Sequence, residues 1–341
     1  MAPSNMAASL KAPQEHPLTV ASVPYPIVGE GEIVVKIAAA AVNPLDWMIQ
    51  TMGQTLLPWL QYPLTIGSDA AGTVVEVGPN VTKFKVGDRV LGLSGGFESR
   101  TGAFQNYAAL EAKTVSHIPD DLSFADASVL PLGLGTAASG LFQKDHLGLD
   151  YPRADGAKPN GETLLVWAGA SSVGSNAIQL AVAAGYEVFT TASPKNFDLC
   201  KKIGASRVFD YHSETITQEL LDAFKGKKCV GAFAIQSSSS DVVLEVVAKS
   251  EGAKFVTAAC PIPEDKQFEG VKVNMIWGPT LKDNEVGPVI FDEFLPAALA
   301  KKRYLCVPEA VVVGQGLEKV QEGWDQLKQG GVSANKLVVT L

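Results

Sequence analysis

The stretch LLVWAGASSVGSNAIQLAVAAGY, residues 164–186, opens as an apolar run, narrows to small residues and resumes with the apolar spacing of a helix. A short strand that passes through small residues into a helix is the start of a βαβ unit, and its turn is where a dinucleotide pyrophosphate sits. On a G-x-G-x-x-G frame the positions are Gly169, Ala170, Ser171, Ser172, Val173 and Gly174, so a serine stands where the second glycine is expected. The first glycine makes the tight turn and the last lets helix and strand approach closely. Serine narrows the middle of the turn, while its hydroxyl and the free amides of the first helical turn remain able to donate to phosphate oxygens. These residues fit two readings, a cofactor turn and a plain strand-to-helix turn of any α/β protein.

The neighbouring sequence favours the first reading. From Glu162 onward strands and helices alternate: TLLVWA, then helix SNAIQLAVAAG, EVFTTA, helix NFDLCKKIG, RVFDY, helix TQELLDAF, GAFAI, helix VVLEVVAKS and AKFVTAA. Strands spaced by helices build a parallel, doubly wound sheet. The N-terminal part has a different texture, with strands GEIVVKIAAAAV and AAGTVVEVG and the Gly-Asp turn of FKVGDRVLGL. Short strands punctuated by glycine and proline predict an all-β opening domain. The texture changes near Ser123, where SFAD offers a capping box before an apolar segment interrupted by Pro131. YPRADGAKPNGE, residues 151–162, reads as a surface loop, and EAVVV and KLVVTL return to strand texture near the end.

The 341 residues suit two domains, and 46% hydrophobic residues predict a globular chain. A formal charge of −8, a pI near 5.1 and the lack of a basic cluster argue against nucleic acid as a partner. No apolar stretch reaches the ~18 residues that span a membrane, and MAPSNMAASLKAPQEHP lacks the apolar run of a signal peptide. A soluble, cytoplasmic protein is expected. Cys200, Cys229, Cys260 and Cys306 are too scattered for metal spacing.

The order of four motifs, GEIVVKIAAAAVNPLDW, GSDAAGTVVEVGPNVTKFKVGDRV, WAGASSVGSNAIQLA and GGVSANKLVVTL, resembles the medium-chain dehydrogenase/reductase superfamily over nearly the whole chain. The resemblance implies an α/β protein with a GroES-like β domain (1–130 and 295–341) for substrate and catalysis and a Rossmann doubly wound parallel-sheet domain (131–294) for NADPH, with substrate and nicotinamide in the cleft. Within the superfamily the chain departs from zinc alcohol dehydrogenases: Asn43 stands for the first ligand, Ser68 for the second, and the third falls near Leu132. A catalytic zinc wants three Cys, His or carboxylate ligands, so no metal is expected. The chain is similar to the zinc-independent quinone oxidoreductase and enoyl reductase branch, and to fungal trans-acting enoyl reductases that serve polyketide synthases.

Candidate site residues follow. Asn43 is read as an amide donor to a substrate carbonyl or the cofactor, or as turn chemistry before Pro44. Thr136 matches a family threonine near the nicotinamide; otherwise its hydroxyl bonds a helix carbonyl. Trp47, Trp59 and Tyr62 line an apolar substrate site or pack in the core. Asp46 and Asp69 hold loops together, and His117, His146 and His212 are surface or structural residues. The second Rossmann strand ends without a carboxylate for a ribose hydroxyl; it offers Ser193 and Lys195, which suit a 2′-phosphate. In the resembling reductases a tyrosine matching Tyr211 completes that pocket. The expected function is hydride transfer from NADPH to an activated C=C in an enone, quinone or enoyl thioester, by a monomer or homodimer acting on a small molecule. The alternatives are a discrete enoyl reductase partnering a polyketide synthase and a non-catalytic nucleotide-binding protein with a structural or regulatory role.

Overall fold

A computed structural model describes residues 3–95, 97–263, 266 and 268–341. In chain order its strands are β1 (Asn5–Ser9), β2 (Thr19–Val23), β3 (Glu32–Ala41), β4 (Asp69–Val77), β5 (Arg89–Leu93), β6 (Tyr107–Glu111), β7 (Val115–His117), β8 (Glu162–Val166), β9 (Glu187–Ala192), β10 (Arg207–Asp210), β11 (Lys228–Ala234), β12 (Phe255–Ala258), β13 (Lys272–Met275), β14 (Glu309–Gln315) and β15 (Asn335–Thr340). The helices are α1 (Pro44–Met52), α2 (Phe124–Ser128), α3 (Pro131–Phe142), α4 (Ser172–Ala183), α5 (Phe197–Lys202), α6 (Ile216–Phe224), α7 (Ser240–Lys249), α8 (Val286–Pro288), α9 (Leu295–Ala300) and α10 (Val320–Gln329).

The chain divides into Met1–Leu132 with Cys306–Leu341, and Gly133–Leu305. The later crossing thus lies at 306 and not at the expected 295. The residues before it stay with the second unit because α4 holds them: Tyr304 Oη donates to Asn176 Oδ1 at 2.6 Å, and Leu305 N–H donates to Gln179 Oε1 at 2.8 Å.

In the first unit, strands run in the order β14-β15-β3-β4-β5-β7, with β6 also paired to β3 and a separate β1-β2 pair. β14 and β15 are parallel, and the remaining partners of that path are antiparallel. β3 is buried at nearly every position, so it reads as a continuous apolar run, without the alternation of a half-exposed strand. The unit is not all-β as expected. Asn43-Pro44 starts α1, Ser123 caps α2 by accepting from Asp126 N–H, and α10 lays Trp324 against Phe104 with ring centroids 5.6 Å apart. Proline pre-sets the backbone angle of a first helical turn, which is why Pro131 begins α3 where the sequence reads as an interruption.

The second unit holds a six-stranded parallel sheet in the order β10-β9-β8-β11-β12-β13. The order reverses between β8 and β11, and ligands of open α/β sheets bind beyond the strand carboxyl ends at such a reversal. The turn after β8 is therefore placed by topology where a nucleotide would be held.

Candidate functional site

β8 delivers the chain to a turn locked on both sides. Trp167 N–H donates to Phe233 O at 2.9 Å, Gly169 N–H to Thr191 O at 2.9 Å, and Ala168 takes φ 62°. A methyl group on Gly169 would meet Thr190 Oγ1 at 2.2 Å, and one on Gly174 would meet the Ala168 carbonyl oxygen at 2.2 Å. Neither position has room for a side chain, so α4 starts directly against its strand.

Ser171 corrects an expectation. Its hydroxyl donates to the Ala168 carbonyl at 2.7 Å and accepts from Gly174 N–H at 3.0 Å, so it caps α4 and does not point a donor outward. Among the described residues Ser172 Oγ is buried without a hydrogen-bond partner, against Gly133, where a methyl would come within 2.4 Å of it. The first-turn amides of Ser172 and Val173, which no preceding turn can satisfy, are what this turn offers an anion, aided by the helix dipole. Ala170 is 8% exposed in the floor of the turn.

At the end of β9, parallel register pairs Ala192 with Asp210, so the next residues of both strands are neighbours. Ser193 Oγ lies 3.1 Å from Tyr211 Oη. Lys195 is exposed and makes no hydrogen bond or ion pair among the described residues. Glu187 sits at the opposite end of the strand, bonded by Thr163 Oγ1 at 2.9 Å and Lys227 Nζ at 2.7 Å. Burial works to raise its carboxyl, but Lys227 and Thr163 outweigh it and hold the group below its ordinary range.

The first unit contains a buried polar cluster. β15 and β3 pair in the register Val338↔Ala41, and β3 and β4 in the register Ala41↔Asp69. Continuing the first ladder by two residues sets Lys336 opposite Asn43. Lys336 Nζ donates to Asn43 Oδ1 at 2.5 Å and lies 2.9 Å from Asp69 Oδ2. Asn43 Nδ2 donates to Asp69 Oδ2 at 2.8 Å, and Leu132 N–H donates to Asp69 Oδ1 at 2.5 Å. Asp46 caps the start of α1 by accepting from Asn43 N–H at 2.7 Å. Asn43, Asp46, Asp69 and Lys336 are 3%, 2%, 0% and 5% exposed. Burial, with the nearby Asp69 charge, pushes the Asp46 carboxyl up to about 8, although Asn43 N–H and Lys336 pull the other way.

These donors do not fit a zinc ion. Asp69 is already committed to Lys336, Asn43 and Leu132, and Leu132 contributes only a backbone amide. Among the described residues no group of three or more His, Cys, Asp or Glu side chains could hold a metal.

Thr136, on α3, is half-buried, and its hydroxyl bonds no helix carbonyl or other group among the described residues. Trp47 and Tyr62 pack against the first unit's core, whereas Trp59 stands 54% exposed, so the structure separates the aromatic trio. Tyr62 Oη is buried close to Gly53, without a hydrogen-bond partner among the described residues. His117 and His212 bond Asp88 and Asp210, each at 3.0 Å, and His146 is buried with Nδ1 2.8 Å from Thr257 Oγ1. Lys336 is the site residue that local patterning missed. Its only signal is a lone charge at the head of the apolar run KLVVTL.

Residues 29–120 match the alcohol dehydrogenase GroES-like domain family, and residues 172–278 match the zinc-binding dehydrogenase family. The protein named dehydrogenase pigH, from Monascus ruber, is 45% identical over 99% of this chain and 100% of its own length. Trans-enoyl reductase himH, from Aspergillus japonicus, is 39% identical over 91% of this chain and 90% of its own. Among solved structures, an alcohol dehydrogenase superfamily protein from Novosphingobium aromaticivorans shares 25% identity and a TM-score of 0.80, with 99% of each chain covered.

Two outcomes follow from this geometry. Gly174→Leu should abolish nicotinamide-nucleotide binding while leaving the first unit folded, because overpacking of ~1–3 kcal/mol falls on the turn itself. Nucleotide titration with circular dichroism checks this, and retained affinity would contradict it. Asp46→Asn should flatten the pH dependence of stability. The native carboxyl, at about 8, keeps a proton that the unfolded chain gives up near ~4, so its stabilisation is complete below that and is lost as pH rises toward 8. Melting temperature should fall less from pH ~5 to ~8 in the variant than in the wild type; parallel curves would disprove the assignment.

Proposed function

The chain belongs to the medium-chain dehydrogenase/reductase superfamily of oxidoreductases, and on that premise we propose that it is a zinc-independent, NADPH-dependent reductase of an activated C=C in an enone, quinone or enoyl thioester. The observation that carries the reading is the buried cluster of Asn43, Asp69 and Lys336, which takes up Asn43 and the Leu132 amide, two of the three positions where the family resemblance would call for zinc ligands. Without a Lewis acid, an isolated carbonyl is hard to reduce, whereas a conjugated C=C passes its charge to an oxygen that hydrogen-bond donors can stabilise.

When bound, NADPH supplies the hydride that adds to the carbon β to the carbonyl. The C=C electron pair then moves toward the substrate oxygen, and a proton from solvent later completes the α-carbon. The protein's own part is to hold and polarise. The amides of Ser172 and Val173 receive the pyrophosphate, and the turn from Gly169 to Gly174 lets it approach. Ser193, Tyr211 and Lys195 receive the 2′-phosphate, for which an ammonium and hydroxyls are suited and a carboxylate is not. Thr136 offers a hydroxyl with no partner among the described residues, and Asn43 an amide, as donors to nicotinamide or substrate oxygens. Of the aromatic trio, Trp47 lies one helical turn from Asn43 and is the one we retain for the substrate. The likeness to a protein named trans-enoyl reductase supports a second reading, a discrete reductase acting on a synthase-bound acyl chain.

A panel of enones, quinones and enoyl thioesters with NADPH and a chelator tests the reading. Turnover above ~1 s⁻¹, the low end of ordinary enzymes, is expected, and no turnover by protein that binds NADPH would leave a non-catalytic nucleotide-binding role. NADPH should bind more tightly than NADH. Lys195→Ala should weaken NADPH about tenfold, the scale of one charge-assisted hydrogen bond, and leave NADH unchanged. Equal affinities in the wild type, or an unaltered ratio in the variant, would refute the phosphate pocket.

A further inference from the structure

An asparagine side chain offers acceptor positions on its oxygen and two hydrogens on its nitrogen. For Asn43 the oxygen faces the Lys336 ammonium and the nitrogen faces the Asp69 carboxylate at 2.8 Å. The next acceptor for that nitrogen is the Ala41 carbonyl at 3.5 Å, too long for a good bond. Flipping the amide would set its NH₂ against an ammonium and its oxygen against a carboxylate, so one orientation is fixed. The ammonium is fixed in turn by Asp69 at 2.9 Å, with side chains 6% and 0% exposed, and Asp69 is anchored by Leu132 N–H.

We propose that Lys336 is a positioning residue which polarises the Asn43 amide, while Asp69 orients it, so that its second N–H, held only by the long 3.5 Å approach to the Ala41 carbonyl, donates to the substrate oxygen that gains charge on reduction. The proposal rests on the reductase reading above. An ammonium bonded to Oδ1 draws electron density from the amide and makes its N–H a stronger donor, and linked hydrogen bonds reinforce one another away from water. Donors held in place before charge develops contribute most to catalysis. Lys336 acts through Asn43 and does not itself touch the substrate.

A double-mutant cycle tests this. Lys336→Met should lower kcat about tenfold, less than the ~100-fold of deleting an oxyanion donor outright, with the KM for NADPH unchanged. In an Asn43→Ala background the same change should cost less than about twofold, because the group it acts through is gone. Losses that multiply overturn the proposal. Lys336→Arg, which keeps the charge, should recover part of the rate, and no recovery counts against the ammonium. Lys336→Met leaves a buried carboxylate unpaired, so Asp69→Asn with Lys336→Met guards against misfolding. It should show at least that kcat loss with a melting temperature nearer the wild type, and wild-type kcat in it would overturn the proposal.

One readout needs no turnover. Hydrogen exchange of the Asn43 side-chain amide, followed by nitrogen-15 NMR and assigned through Asn43→Ala, should quicken about tenfold or more in Lys336→Met. Unchanged exchange overturns the positioning role whatever the kinetics. Wild-type protein that binds NADPH but reduces nothing in the panel overturns the reductase reading and the donor role together, while exchange still decides whether Lys336 fixes the amide.

Discussion

An ammonium taken out of water has to be met by a carboxylate, and the pairing of Lys336 with Asp69 at 2.9 Å organises the first unit around that requirement. Removing one member of such a pair costs ~3–5 kcal/mol, a large share of the ~5–15 kcal/mol that keeps a folded protein folded. The pair is tolerated because further bonds support it: Asn43 takes a second ammonium hydrogen and Leu132 N–H meets the other carboxylate oxygen. Three strand ends, the start of α1 and the residue just before α3 continues into the second unit all meet in that one set of bonds.

The second unit solves a different problem with small residues. A pyrophosphate can come near a helix N-terminus only if no side chain intervenes, and at Gly169 and Gly174 even a methyl group would collide with Thr190 or Ala168. Serine is accepted at the position between them because its hydroxyl finds two partners inside the turn. It occupies space that glycine would leave open, and in return it holds the first turn of α4 in place.

How much of this was legible follows from the range of each interaction. The parallel sheet and the glycine turn were readable because each βα step lies within one short window, and strands covered on both faces leave runs such as TLLV and EVFTTA. Asp46 and Asp69 are legible as loop-holding carboxylates, and Asn43 as an amide next to a helix-starting proline. Their partner is not, since Lys336 and Asn43 are separated by 293 positions and no local spacing links them. Ser171 satisfies two patterns, the middle of a glycine turn and the cap of a helix, and the sequence does not distinguish them because the direction of its hydroxyl is set by the folded turn. The hydroxyl of Tyr62 carried no signal at all; its burial comes from how the 53–62 segment folds back on itself.

The insertion of β15 against β3 also fixes an order of assembly. β3 is synthesised early and β15 more than a unit later, so the edge of β3 that receives Val338–Thr340 stays open while the whole of Gly133–Leu305 leaves the ribosome. Contacts so distant along the chain carry a loop-closure entropy that contacts within the second unit avoid. The first unit is therefore complete only once its last strand has paired with β3 and brought Lys336 to Asp69.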